Sequence, residues 1–489
     1  MTVTATPTAA APSLPAVPTG LLIAGTWRPA SSGATLVVDN PATGEPLAAI
    51  ADATIEDGLA AVEAAVAAQP ALTAMSPSER ARLLRRVEQG IRDRADEFAL
   101  LITLEMGKSL GEARAEVSYA ADFFGWFADE AVRVHGDYRL APGGQTRIVV
   151  THRGVGPCLL ITPWNFPLAM GARKIAPAIA AGCPSIIKPA ALTPLSTLLL
   201  AELIESAGAP AGAVNVVTTT RSGAVTTAMI ETGRLRKLSF TGSTAVGKLL
   251  LGQCARHVMR TSMELGGNAP FLVFADADLD AAVEGALIAK MRNVGQACTA
   301  ANRFIVAEPV AEEFTRRLAE RVAAMTVGPG WQDGTELGPL VDDAAVEKYQ
   351  SLLADAVQRG ATVVVGGPGH DGRFVRPTVL SGVPAGCDVL REEIFGPLAP
   401  VVTFGDDDEA VELANATEYG LVAYVYTKDL HRALAMVDRI HSGMVGVNVG
   451  VVSNAAAPFG GVKESGLGRE GGAEGLAEYL DTTYAAIAR

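Results

Sequence analysis

At 489 residues the chain is too long for one ordinary hydrophobic core, so two large domains plus smaller additions are expected. Hydrophobic residues make up 49% and charged ones 19%, a packed globular balance that excludes extended disorder. A net charge of -13 without any basic block excludes nucleic acid as a partner and means that an anionic ligand must find local cations.

In chain order, residues 1–19 are rich in Ala, Pro and Thr and precede the first basic residue, Arg28, so they read as a floppy tail and not as a secretory or Arg-rich leader. No apolar run reaches the roughly 18 residues that a spanning helix needs, which predicts no membrane partner and a cytoplasmic protein. Helical periodicity runs from Ser76 to Val132, opened by the start signal Ser76-Pro77 with Glu79. From Val155 to Cys254, short apolar runs alternate with helical patterns, the rhythm of βα units in a parallel sheet. The runs Cys158–Ile161, Ser185–Ile187, Val214–Val217 and Leu238–Phe240 lack polar alternation, as strands buried on both faces do. Trp164, Asn165, Lys188, Thr218 and Thr241 then gather at the carboxyl edge of one sheet, where open α/β sheets bind ligands. A second βα series starts at Phe271, passes a helix over 281–293 and a strand at Phe304–Val306, and reaches Val445–Val447. The apolar tail 478–487 is too short for its own core and is expected to dock onto another subunit.

Gly242-Ser243-Thr244-Ala245-Val246-Gly247-Lys248 follows a strand and opens a helix, as a phosphate-binding loop does. Leu249 stands where a triphosphatase loop needs a magnesium-binding hydroxyl, and no clean G-x-G-x-x-G follows the first strand, so a dinucleotide would bind here in another way. The five cysteines lack C-x-x-C spacing, which argues against a disulfide framework and against a metal site. One of them, Cys298 in Asn293-Val294-Gly295-Gln296-Ala297-Cys298, sits on a loop between a helix and a strand. Most lone cysteines are inert core residues, so its neighbourhood has to decide. Glu264, at a strand end before the pair Gly266-Gly267, is the better base for it than any of the six histidines.

Taken with Pro163-Trp164-Asn165-Phe166, Lys188-Pro189, Phe240 to Gly247, Glu264 to Asn268, Gly295 to Cys298, Glu393-Ile394-Phe395-Gly396-Pro397 and Pro458-Phe459-Gly460-Gly461, the chain resembles the aldehyde dehydrogenase superfamily over nearly its whole length. The resemblance implies that Cys298 attacks an aldehyde as thiolate and that the Asn165 amide and the Cys298 N–H hold the oxyanion. Hydride then passes to a nicotinamide dinucleotide, and Glu264 activates the water that hydrolyses the thioester. It also places Lys188 among the catalytic residues, and Ile161, Thr162, Pro163, Trp164, Lys188, Ala191, Phe240, Thr241, Gly242, Ser243, Leu265, Gly266, Glu393 and Phe395 at the cofactor. Ala191 replaces a glutamate that would repel a 2'-phosphate, so NADP is favoured, with NAD usable as well.

Within the superfamily the resemblance is to the NADP-preferring bacterial succinate semialdehyde branch, whose grip on a distal carboxylate matches Arg173, Arg292 and Ser453, with Phe459 lining the substrate site. Glutarate semialdehyde or another aliphatic aldehyde is the alternative substrate, and a catalytically silent binding or structural relative the alternative of another class. Ala300 excludes a redox disulfide with a neighbour two residues from Cys298. The implied fold is α/β: a Rossmann-like parallel-sheet cofactor domain (20–138 and 158–267), a second α/β catalytic domain (268–468) and a small oligomerisation β-extension (139–157 and 469–489) that makes a homodimer or homotetramer.

Overall fold

The computed structural model of the chain describes residues 10–489. Its first sheet has eight strands, in the order Thr26–Arg28, Leu21–Ile23, Val214–Val216, Ser185–Lys188, Cys158–Ile161, Lys237–Thr241, Arg260–Glu264, Gly466–Leu467. The five central strands are parallel and antiparallel strands close both edges. From the Cys158–Ile161 strand the chain runs outward to one side, then returns to build the other, and this reversal opens a crevice at the strands' carboxyl ends.

Burial follows from period-two alternation. Cys158 and Leu160 face a core shared with the helices Pro77–Asp93, Leu110–Ala131 and Pro167–Ala181, whereas Leu159 and Ile161 face one shared with the helix Ile55–Ala74. With helices on both faces every residue of the strand is buried, which is why it reads as an unbroken apolar run. The Ser76 signal works as expected: its hydroxyl accepts from the Glu79 N–H while the Glu79 carboxylate takes the Ser76 N–H at 2.7 Å, worth about 1 kcal/mol at such caps.

The second sheet has seven strands, in the order Thr362–Val365, Thr378–Ser381, Leu398–Phe404, Ala301–Ala307, Ala269–Val273, Val422–Tyr426, Met444–Val447, all parallel except the first pair. Phe271 anchors its core against Phe304, Tyr424 and Tyr426 at ring separations of 5.2, 5.7 and 4.9 Å. A third, antiparallel sheet of three strands joins Asp137–Leu140, Thr146–Gly154 and Leu480–Ala488. No single helix among the described residues is long and apolar enough to cross a membrane.

The helical stretch from Ser76 to Val132 comprises three helices, Pro77–Asp93, Ala95–Met106 and Leu110–Ala131, because Arg94 leaves helical geometry and Gly107 takes a left-handed one. Two expectations need correcting. Residues 10–19 are not a floppy tail, since Leu14 and Val17 pack against the first core; residues 1–9 lie outside the described residues. The extension is also smaller than 469–489: the helix Gly472–Ala477 brings Leu476, with Tyr479 behind it, into the first core, and Gly466–Leu467 pairs with Met263–Glu264 of the first sheet. Buried apolar side chains decide that boundary, and they were sparse in the sequence there.

Candidate active site

The carboxyl ends of the two sheets meet at a cavity of about 380 Å³. The first sheet contributes Pro163, Trp164, Asn165, Thr241, Gly242, Ser243, Leu265 and Gly266; Arg173 comes from the helix after its first long strand; and the second half of the chain contributes Arg292, Cys298, Glu393, Phe395, Ser453 and Phe459. Glu264, Ile161, Thr162, Lys188, Ala191 and Phe240 are not on its wall. Ile161 and Phe240 are core residues beneath the edge, and the Thr162 N–H donates to the Lys188 carbonyl at 3.2 Å, tying two strand ends together. A larger groove, of about 990 Å³, lies between the helix Glu308–Ala323 and the strands Ala301–Ala307 and Leu398–Phe404; none of the expected site residues lines it.

Cys298 hangs from a loop held under strain. Asn293 and Val294 adopt φ of 55° and 59°, unfavourable for L residues and most of all for a β-branched one. Their partners over-determine the turn: the Asn293 N–H donates to Glu112 Oε1 at 2.6 Å, its amide donates to the carbonyls of Asn165 and Gln296, and Val294 is buried in an apolar cluster. Gly267 lets the first sheet approach this loop, for a Cβ there would stand 2.3 Å from the Cys298 carbonyl oxygen. The thiol is part-buried on the cavity wall, and burial pushes it up to about 12, Arg173 opposing and the Glu393 and Glu264 carboxylates reinforcing the rise. Asn165 Nδ2 donates to the Gln296 carbonyl at 2.9 Å, which leaves its second N–H for another acceptor.

Glu264 is 1% exposed, and neither of its carboxylate oxygens has a hydrogen-bond partner among the described residues. Burial raises its carboxyl well above the usual range and the nearby Glu470 carboxylate adds to the rise. Glu470 itself shows the opposite outcome: burial alone would raise it, but Lys174 and Arg173 hold it down to about 2. Lys174 Nζ also donates to Ser239 and Thr241 at 2.9 and 2.8 Å. The Arg173 Nε lies 2.6 Å from Glu470, and its guanidinium covers the Phe459 ring at 4.2 Å. Arg173 is therefore a buried, ion-paired residue whose Nη2 makes no hydrogen bond among the described residues. Arg292, by contrast, makes no ion pair among the described residues; its one polar contact is a long one, 3.5 Å, to the Thr299 hydroxyl, and it lies over the Phe166 ring at 5.5 Å.

These geometric facts agree with the comparisons to known proteins. The sequence profile of the aldehyde dehydrogenase family matches residues 27–485. The chain belongs to this family. It is similar to the succinate-semialdehyde dehydrogenase of Paenarthrobacter nicotinovorans, 55% identical across 90% of this chain and 99% of that protein. It is also similar to the NADP(+) succinate-semialdehyde dehydrogenase GabD of Escherichia coli strain K12, 47% identical across 95% and 97%. Among solved structures, the succinate-semialdehyde dehydrogenase from Burkholderia pseudomallei superposes with a TM-score of 0.95 at 48% identity, over 97% of this chain and 98% of that one.

An aldehyde dehydrogenase acts on an aldehyde and hands its hydride to a nicotinamide dinucleotide, and the residues at the first sheet's edge fit such a group. The helix Thr244–Ala255 has no side-chain cap on its first N–H groups, which leaves them for a pyrophosphate. Among the described residues Lys188, 5% exposed, meets only the Pro189 carbonyl and the Ser222 hydroxyl, and burial brings it down to about 8; a buried cation with no carboxylate partner there suits an anionic or hydroxyl-rich ligand. Glu393 Oε1 accepts from the Gly267 N–H at 3.0 Å and burial pushes the carboxyl up to about 7. Phe395 meets Trp164 edge-on at 5.4 Å across the cavity mouth. Four residues of this aldehyde dehydrogenase site escaped the sequence reading: Tyr119, Lys174, Lys348 and Glu470. Each lies in an ordinary helical or loop context with no local signal; tertiary contacts bring Tyr119 and Lys348 to the cavity wall and set Lys174 and Glu470 behind it, against Arg173.

Proposed function

We propose that this chain oxidises succinate semialdehyde to succinate with NADP. The carrying observation is Arg292, a part-buried cation on the cavity wall, six residues before the thiol, that makes no ion pair among the described residues, the buried Glu112 carboxylate of the neighbouring helix being the acid in electrostatic range of it. An unpaired guanidinium in a small, largely apolar cavity is stable only if the ligand supplies the anion. A four-carbon aldehyde with a carboxylate at its far end does so.

The roles follow from the placements above. Cys298 adds as thiolate to the aldehyde carbon, while the free N–H of Asn165 and the Cys298 backbone N–H take the developing oxyanion. When bound, NADP supplies the hydride acceptor. Trp164, Ser243, Glu393 and Lys188 would hold and orient it, and Ala191 would leave room for a 2'-phosphate where an acid would repel one. Glu264, buried without partners and raised in pKa, takes a proton from the water that cleaves the thioester and releases succinate. The antiparallel extension exposes Tyr138, Leu140, Tyr484 and Ile487, which supports a homodimer or homotetramer built through it. Sedimentation checks this second point.

Initial rates with succinate semialdehyde, glutarate semialdehyde and butanal, each with NAD and NADP, test the assignment. One methylene in a tunnel is worth about 1–3 kcal/mol, so the two semialdehydes should separate by about tenfold or more. The proposal fails if butanal is used as well as succinate semialdehyde, or if the glutarate homologue is preferred.

A further inference from the structure

The distal end of the cavity holds a hydroxyl that the reaction scheme above leaves without a task. Tyr119, on the helix Leu110–Ala131, tilts against Phe123 at a ring separation of 4.6 Å and directs its hydroxyl to the cavity wall. That oxygen is buried and makes no hydrogen bond among the described residues. The side chains facing it are Arg173 and Ser453, with Arg292 in electrostatic range, so it stands among the groups already assigned to the substrate's far end. Burial raises the phenol further above its normal value, so the hydroxyl keeps its hydrogen throughout the working pH range.

A buried phenol without a partner is costly, and a tyrosine chosen only for packing would be better as phenylalanine. Arg173 Nη2 next to it is unpartnered in the same way. Two adjacent orphan donors, each deprived of water, point to a missing acceptor with more than one oxygen. The charges point the same way: Glu470 is shared by Arg173 and Lys174, and Arg292 makes no ion pair among the described residues, so a ligand carboxylate at this spot meets cationic charge that is not fully offset. A carboxylate accepts about four hydrogen bonds, enough for Arg292, Ser453, Arg173 Nη2 and the phenol together.

We propose that Tyr119 determines substrate specificity, donating its hydroxyl hydrogen to the distal carboxylate beside Arg292 and Ser453. The assignment rests on the reading that the aldehyde carries that carboxylate. Selectivity then has two parts. Arg292 attracts the charge, and Tyr119 penalises any aldehyde that leaves its hydroxyl unanswered, because a buried donor with no acceptor weakens binding of the wrong ligand more than a good contact strengthens the right one.

The decisive variant is Tyr119→Phe, which removes one oxygen and keeps the ring contact with Phe123. KM for succinate semialdehyde relative to KM for butanal should rise by about tenfold, with kcat for the semialdehyde changed far less, as for loss of a single hydrogen bond to a charged group. The inhibition constant of succinate should rise by a similar factor while that of butyramide does not, a binding readout independent of turnover. Arg292→Ala is measured alongside. If Arg292→Ala loses discrimination and Tyr119→Phe does not, Tyr119 is a packing residue and this proposal alone is overturned; if neither variant changes discrimination, the carboxylate reading falls with it.

Discussion

Two arginines line the same cavity and differ in what surrounds them. Arg173 comes from a helix interior, is 1% exposed and is paired with Glu470, which Lys174 also binds; Arg292 comes from the strained turn before the thiol and meets no acid. The lesson is that a cavity-lining charge is informative according to its partner. A buried cation with its own carboxylate belongs to the scaffold as well as to the site, whereas one without is waiting for a ligand. The sequence resemblance gave both arginines one role, and the contacts divide them.

The largest effect expected from this difference is on stability. Glu470→Gln strands two buried cations, and breaking buried pairs of this kind costs about 3–5 kcal/mol, seen as a lowered denaturant midpoint. Arg292→Ala, which breaks no pair, should leave that midpoint nearly unchanged; equal midpoints for the two variants would erase the distinction. Next comes the thiol. Burial outweighs the opposing Arg173 and holds Cys298 at about 12, so the thiolate fraction rises with pH. Alkylation of Cys298 by iodoacetamide in the cofactor-free enzyme should therefore quicken about tenfold per pH unit, some hundredfold from pH 7 to 9. A rate flat across that range would mean an already ionised sulfur.

The carboxylate grip comes third. Arg292→Ala should cut the preference for succinate semialdehyde over butanal by about ten- to hundredfold in kcat/KM, the value of hydrogen bonds to a charged group. Glu470→Gln should change that preference far less than it changes stability. The smallest effect applies the same logic at the cofactor end, where Lys188 is the buried cation without an acid. Ala191→Glu supplies a negative charge near it and should move the NADP-to-NAD ratio of kcat/KM toward NAD by about tenfold, through repulsion of the 2'-phosphate. No shift would place the 2'-phosphate elsewhere.

How much of this was legible depended on how local the signal was. The strands Cys158–Ile161 and Ser185–Lys188 could be read because helices cover both faces, every residue is buried and the central ones are apolar. The helix Ile55–Ala74 was missed, since its alanines bury against strands and a neighbouring helix without forming an apolar stripe. At the site, Cys298, Glu264 and Asn165 sit in short motifs whose glycines allow close backbone approach, as Gly267 shows against the Cys298 carbonyl. Tyr119 and Glu470 had no such mark. One lies in a helical run that reads as plain packing, the other in a stretch taken for an oligomerisation arm.

By itself the amino-acid sequence marked the parts of the candidate site: a thiol on a loop, a carboxylate at a strand end and a glycine turn before a helix, each stated within a few residues because backbone geometry is local. Only the tertiary structure decided how the charges divide. Ion pairing and desolvation depend on which side chains are brought within a few ångströms across hundreds of residues, and so the pairing of Arg173 with Glu470, the isolation of Arg292 and the orphaned hydroxyl of Tyr119 belong to the fold.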